Sequence, residues 1–150
     1  LQDAGVHVVI GAPAREVAYS HMNDEVMPDL ALSDVHVADY DGVFSLGGPG
    51  ALEYLDNKDT ARIFVEAQQT ENYPYGAICI APRILAKAGV LKNVHATGWN
   101  GDGELQEVFD TYGVIRVREP VVVDGVVVTA DGPASARDFG KKIVEVLHNN

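Results

Sequence analysis

The chain has a single cysteine, Cys79, so it cannot close an internal disulfide, and no Cys/His cluster has the spacing of a structural zinc site. The thiol is expected to be reduced. Basic residues are scarce: 11 Lys and Arg stand against 22 Asp and Glu, a formal net charge of -11, and no basic stripe offsets it. Such a field repels phosphate backbones and anionic lipid, which argues against nucleic acid and membrane surfaces as partners. No apolar run approaches the roughly 20 residues that span a bilayer. The opening "LQDAGVHVVIGAP" has no basic flank before a signal-type core. A soluble, cytoplasmic chain is expected. Internal repeats, low-complexity tracts and interdomain linkers are also missing, and 150 residues with 47% apolar content fit one domain over residues 1–150.

What is present alternates between strand and helix signals. That pattern points to an α/β fold with a mostly parallel sheet covered on both faces. "GVHVVIGAP" and "YDGVFSLGGPG" are apolar runs that end in turn residues and predict two strands. "DTARIFVEAQQ" places Ala61, Phe64, Val65 and Ala67 near helical spacing, with Asn57 or Asp59 able to cap the first turn. "YGAICI" reads as a buried strand, and "PRILAKAGVL" as a short helix opened by Pro82 and stopped at Gly89. Asp124-Gly125 between two valine runs predicts a hairpin with a two-residue turn. The last stretch sets Ala136, Phe139, Ile143 and Val146 or Leu147 on one helical face, with Lys141 and Lys142 solvated.

Two of these junctions could carry chemistry. In "GAICIAP" the thiol follows a strand and precedes a helix, with small residues Ala77 and Ala81 two positions to either side. A nucleophile on a tight strand-to-helix turn needs small neighbours, because bulk collides where the backbone reverses. The helix start would also favour thiolate over thiol at Cys79. A lone cysteine is as readily a small buried hydrophobe, and this stretch alone does not choose. The second junction is the glycine loop "SLGGPGA", residues 45 to 51. By itself such a loop is as readily a permissive turn. Beside the cysteine turn, however, it would supply one N–H from Gly48 and another from Ile80 to a carbonyl oxygen near the thiol.

At these two stretches the sequence resembles the ThiJ/PfpI superfamily, whose members join a strand ending in Gly-Gly to a strand-cysteine-helix elbow with "AIC" and a following proline. The resemblance continues through "ILAKAGVLKN" and "DGVVVTADGPASA", from about Val6 to Leu147. It implies a flavodoxin-like three-layer α/β sandwich with a mostly parallel sheet plus a β-hairpin, of the class I glutamine amidotransferase-like type, assembled as a homodimer or larger. It also implies Cys79 as nucleophile, Gly48 and Ile80 as backbone oxyanion donors, and no cofactor or metal. Superfamily activities include glyoxalase, deglycase and peptidase chemistry, chaperone action and oxidative-stress sensing.

The sequence departs from the superfamily at three places. Ile80 stands where peptidase-type members have histidine, and Trp99 lies near a histidine position of another branch. The first strand and the glutamate that would hydrogen-bond the cysteine have no counterpart, so Leu1 is expected not to be the natural start. Glu16 is expected to be a solvated loop carboxylate, and His95 a satisfied structural histidine. A late His-x-Glu pair, a Walker ending and a strand-linked G-x-G-x-x-G are all missing, which sets aside amidotransferase, nucleotide and dinucleotide readings. Gly47, Pro49, Trp99 and Asn100 are candidate pocket residues, with Asp102 on the same loop, whereas Asp131 is expected to cap the terminal helix, with Pro133 in its first turn. The resulting expectation is a cofactor-free glyoxalase- or deglycase-like hydrolase acting on a small carbonyl substrate or a modified protein. The alternative is a redox-sensing or chaperone-like dimer with an oxidisable cysteine.

Overall fold

A computed structural model describes residues 1–20 and 24–149. In chain order its strands are β1 (Gly11–Ala12), β2 (Ala18–Tyr19), β3 (Glu25–Val26), β4 (Leu30–Ala31), β5 (Val43–Ser45), β6 (Tyr75–Ile78), β7 (His95–Ala96), β8 (Ile115–Arg116), β9 (Val121–Asp124) and β10 (Val127–Ala130). The α-helices are α1 (Lys58–Gln69), α2 (Pro82–Lys87), α3 (Leu105–Tyr112) and α4 (Ala136–His148).

β6 is buried at all four positions, as a strand covered on both faces must be. β5 and β10 flank it in parallel and β9 closes antiparallel on β10, giving the order β5-β6-β10-β9. The alternation of side chains along the strands separates two cores. On one face Tyr75, Ala77 and Val127 meet Ile63, Phe64 and Ala67 of α1, Ile84 and Leu85 of α2, and Leu105 and Phe109 of α3. On the other, Ile78, Val128 and Ala130 meet Phe139, Ile143 and Val146 of α4. Phe139 also stands edge-on to Phe44, with centroids 6.1 Å apart. The chain is therefore a flavodoxin-like three-layer α/β sandwich with a mostly parallel sheet and a β9–β10 hairpin. No helix among the described residues is long and apolar enough to cross a membrane.

Local chemistry sets the element ends. The Asn57 side chain accepts the Thr60 N–H at 2.8 Å and so caps α1. Gly89 has φ +81 just past α2. The buried face of α1 is Thr60, Ile63, Phe64 and Ala67; Phe64 and Ala67 of the expected face lie on it, while Ala61 and Val65 are half-buried at its edge. In α4, Ala136 is exposed and Leu147 half-buried, while Phe139, Ile143 and Val146 carry the contact.

The structure corrects two expected elements. The strand expected over "GVHVVIGAP" narrows to Gly11–Ala12, paired in parallel with Leu30–Ala31; Val6 to Ile10 join no ladder, since β1 and β4 form a separate pair. The hairpin turn is Gly125-Val126, with Val127 opposite Asp124 and a positive φ of +60 at Gly125. Asp124 is kept in the strand because its carboxylate accepts both the His95 backbone N–H, at 2.7 Å, and a contact from the His95 ring at 2.9 Å. α3 is an element to which the sequence reading assigned nothing. It is anchored by Leu105 and Phe109 at i, i+4 and ended by Gly113 at φ +69.

Candidate active site at Cys79

β6 stops at Ile78, and the next residue turns into the left-handed region. Cys79 has φ +66; the other non-glycine residues at positive φ among those described are Asn72 and Asn93, a residue type that tolerates it. For a cysteine this conformation costs about 1–2 kcal/mol. Three neighbours hold it. The Cys79 N–H donates to the Ala130 carbonyl at 2.9 Å, the Trp99 N–H donates to the Cys79 carbonyl at 2.8 Å, and the Ala81 N–H closes the turn on the Ile78 carbonyl at 3.3 Å. Ala77 and Ala81, the small residues flanking the turn, are fully buried.

From Tyr73 to Ala86 every residue is buried except Cys79, which is half-exposed. Its side chain packs on the Ile78–Phe139 cluster, so Cys79 is partly covered where its neighbours along the segment are fully covered. No side chain among the described residues is hydrogen-bonded to the sulfur.

The glycine loop closes on this bend. A Cβ placed on Gly47 would stand 2.7 Å from the Ile78 oxygen, 2.7 Å from the Ile80 nitrogen and 2.9 Å from the Cys79 Cβ. Only glycine permits that approach. Gly48, at φ +135, then opens the 3-10 turn Pro49–Tyr54. Neither the Gly48 N–H nor the Ile80 N–H donates to another group among the described residues.

The remaining candidate residues divide between two concavities. Gly47, Gly48 and Pro49 line a groove of about 510 Å³ with Tyr19, Leu46 and Tyr54. Trp99 and Asn100 line a cleft of about 500 Å³ with Arg116, Arg118 and Asp131. Cys79 itself lines neither; it adjoins a lining residue of each, Gly47 of the first by close packing and Trp99 of the second through the Trp99 N–H on the Cys79 carbonyl. Asn100 also caps α3, its side-chain oxygen accepting the Leu105 N–H at 3.0 Å.

The charged groups sort themselves by partner. His95 is paired with Asp124 and is a structural histidine, as expected. The Asp124 carboxyl is held below its ordinary range, first by the His95 backbone N–H and then by its ring. Glu16 is exposed. Asp131 does not cap the terminal helix; its carboxylate accepts the Ser135 hydroxyl, and Pro133 begins a 3-10 turn ahead of α4. The 3-10 turn Pro133–Ser135 stands between Asp131 and the first residue of α4.

Sequence reasoning missed Arg83. It lies in the first turn of α2 with its side chain 2% exposed. Its guanidinium donates to both oxygens of Asp102, at 2.9 and 2.6 Å, and to the Trp99 carbonyl at 3.2 Å, and it sits 5.8 Å from the Trp99 ring centroid. Hydrogen bonding from Arg83 is the first cause that holds the Asp102 carboxyl below its ordinary range. The available signal was a cation at the helix end where the macrodipole disfavours one.

A family model described as the DJ-1/PfpI family matches residues 1–146. An uncharacterised protein of Methanocaldococcus jannaschii is 30% identical over 97% of this chain and 71% of its own length. A deglycase PfpI of Pyrococcus furiosus is 27% identical over 98% of this chain and 86% of its own. A glutathione-independent glyoxalase of Caenorhabditis elegans is 26% identical over 95% of this chain and 74% of its own. Among solved structures, a ThiJ/PfpI domain protein from Brachyspira murdochii superposes with a TM-score of 0.89 at 26% identity, over 99% of this chain and 84% of that one.

Proposed function

The chain belongs to the DJ-1/PfpI family, and on that premise we propose that it is a cysteine-dependent, glyoxalase- or deglycase-like hydrolase acting on small dicarbonyls or their protein adducts. The observation that carries this reading is the positive φ of Cys79, which sets the one incompletely buried residue of segment 73–86 at a strand-to-helix bend against the glycine loop. The relatives named glyoxalase and deglycase support the substrate class.

In the first step the Cys79 sulfur bonds to an aldehyde carbon while the carbonyl π pair moves to oxygen. The thiol proton passes to water. The Gly48 and Ile80 N–H groups then receive the oxyanion, which stabilises the adduct more than the free carbonyl. For a 2-oxoaldehyde the net reaction adds one water. The aldehyde carbon is oxidised to carboxylate as the neighbouring ketone is reduced to alcohol, so no outside oxidant is consumed. Dicarbonyl turnover with the native chain beside Cys79→Ser tests this: loss of about 100-fold or more is expected, and unchanged turnover in the variant overturns the covalent step.

A second reading rests on the same partly covered free thiol, which also suits a redox sensor, since oxidation follows access to the sulfur. Two equivalents of hydrogen peroxide would convert it to sulfinic acid with release of two waters. Absent turnover combined with selective gain of two oxygens at Cys79, read by mass spectrometry, would favour the sensor.

A further inference from the structure

Arg83 is a buried cation whose side-chain polar contacts all reach one segment, residues 99 to 104: the Trp99 carbonyl, both Asp102 oxygens, and Glu104 at 3.6 Å, while its backbone N–H donates to the Ile80 carbonyl at 3.0 Å. Its Nε has no partner among the described residues. Taking a guanidinium out of water is costly unless such partners compensate. The same loop touches the elbow at one polar point, where the Trp99 N–H donates to the Cys79 carbonyl at 2.8 Å. Arg83 therefore holds Trp99 from one side while Trp99 holds the Cys79–Ile80 peptide from the other.

The geometry of that peptide gives the contact its meaning. No peptide bond among the described residues is cis, and in a trans peptide the C=O and the following N–H point in opposite directions. Fixing the Cys79 carbonyl on Trp99 turns the Ile80 N–H away from that loop. On the other side lies the bare Gly47 backbone, where a Cβ would stand 2.7 Å from the Ile80 nitrogen. A hydrogen bond accepted by the carbonyl also polarises the peptide and makes its N–H a stronger donor.

We propose that Arg83 and Asp102 are positioning residues: their ion pair clamps the Trp99 loop so that the Cys79–Ile80 peptide presents its N–H to the oxygen of a carbonyl substrate. The inference rests on the reading of Cys79 as a nucleophile assisted by backbone N–H groups. It makes a distinction that simple support of the fold does not. Reactions that build charge on a carbonyl oxygen depend on the clamp, whereas displacement at a saturated carbon, which forms no oxyanion, does not.

The test compares two reagents on the full chain at fixed pH. p-Nitrophenyl acetate acetylates the thiol through an oxyanion, releasing nitrophenolate; iodoacetamide alkylates it by displacing iodide. Arg83→Lys keeps the charge but loses the planar fork that reaches Asp102 and Trp99 together. Asp102→Asn changes a partly exposed partner and keeps the shape, so it serves where Arg83→Lys fails to fold. In a variant with a native unfolding transition, acetylation is expected to fall about tenfold or more, with alkylation within about twofold of the native chain. An acetylation-to-alkylation ratio within about twofold of the native value overturns the clamp. So does an equal fall in both rates, which would assign the pair to thiol access or folding. A native chain that iodoacetamide labels at Cys79 but p-nitrophenyl acetate does not would overturn the nucleophile reading itself.

Discussion

Gly47 lies against Ile80 so closely that a methyl group on it would stand 2.7 Å from the Ile80 nitrogen. Gly47 thus leaves room for the N–H of the elbow as well as for the turn. Gly47→Ala is predicted to cover that N–H and to force the glycine loop away from the bend. Overpacking of this kind costs about 1–3 kcal/mol, and loss of one oxyanion donor about 100-fold in rate. Thermal unfolding and dicarbonyl turnover measure the two separately. A variant that loses stability but keeps its rate would deny Ile80 a part in the chemistry.

Cys79 invites a comparison of two replacements. In a helix interior glycine is less stable than alanine by roughly 0.5–1 kcal/mol, but at φ +66 alanine also bears the left-handed strain, about 1–2 kcal/mol. Cys79→Gly is therefore expected to equal or exceed Cys79→Ala in stability by up to about 1.5 kcal/mol. Urea unfolding of the two variants checks this. An alanine variant more stable by that amount would show that the bend relaxes once the thiol is gone.

The Asp102 carboxyl, lowered first by its hydrogen bonds from Arg83, gives a pH dependence of definite sign. In the unfolded chain it takes up a proton near its ordinary 3.8, while in the folded chain it resists until lower pH. Its contribution to stability is thus present above the unfolded value and lost as pH falls through the folded one. Asp102→Asn is expected to flatten this part of the acid limb, so that the urea midpoint falls less between pH 5 and about 2 than in the native chain. Parallel acid limbs would mean that Asp102 titrates alike in both states.

The elbow was legible in sequence because it is local: "GAICIAP" fixes a strand end, small flanks and a helix start within seven residues, and the structure adds the positive φ. The Asn57 cap and the Gly89 stop were legible for the same reason. The Arg83 clamp was not, because its partners lie 16 and 19 residues away and meet only when α2 packs beside the loop ahead of α3. The hairpin register was misplaced by one residue because a distant group, His95, competes for Asp124. "GVHVVIGAP" has strand propensity, but a ladder requires a neighbouring strand: Gly11–Ala12 pair with Leu30–Ala31, Ile10 bonds Asp29 and Leu30 outside the ladder, and Val6 to Val9 join none.

Tyr75 supplies an alkaline counterpart to Asp102. Its hydroxyl donates to the Val90 carbonyl at 2.9 Å within the core, and burial, with the Asp124 charge second, pushes its pKa up to about 12 from the ordinary 10.0. The folded state therefore keeps the phenol proton after the unfolded chain has released it. Stability is fully present below pH 10 and declines as pH rises toward about 12. Tyr75→Phe removes one titrating group and is expected to make the urea midpoint fall less steeply over that window. At neutral pH the variant leaves the Val90 carbonyl without its donor, at about 1–3 kcal/mol. The native chain loses its phenol-linked stability over this window while the variant, lacking the group, does not, so the two stability curves should converge as the solution becomes alkaline. Curves that stay parallel from pH 7 to 12 would show that the phenol ionises equally in both states and that its burial carries no proton linkage.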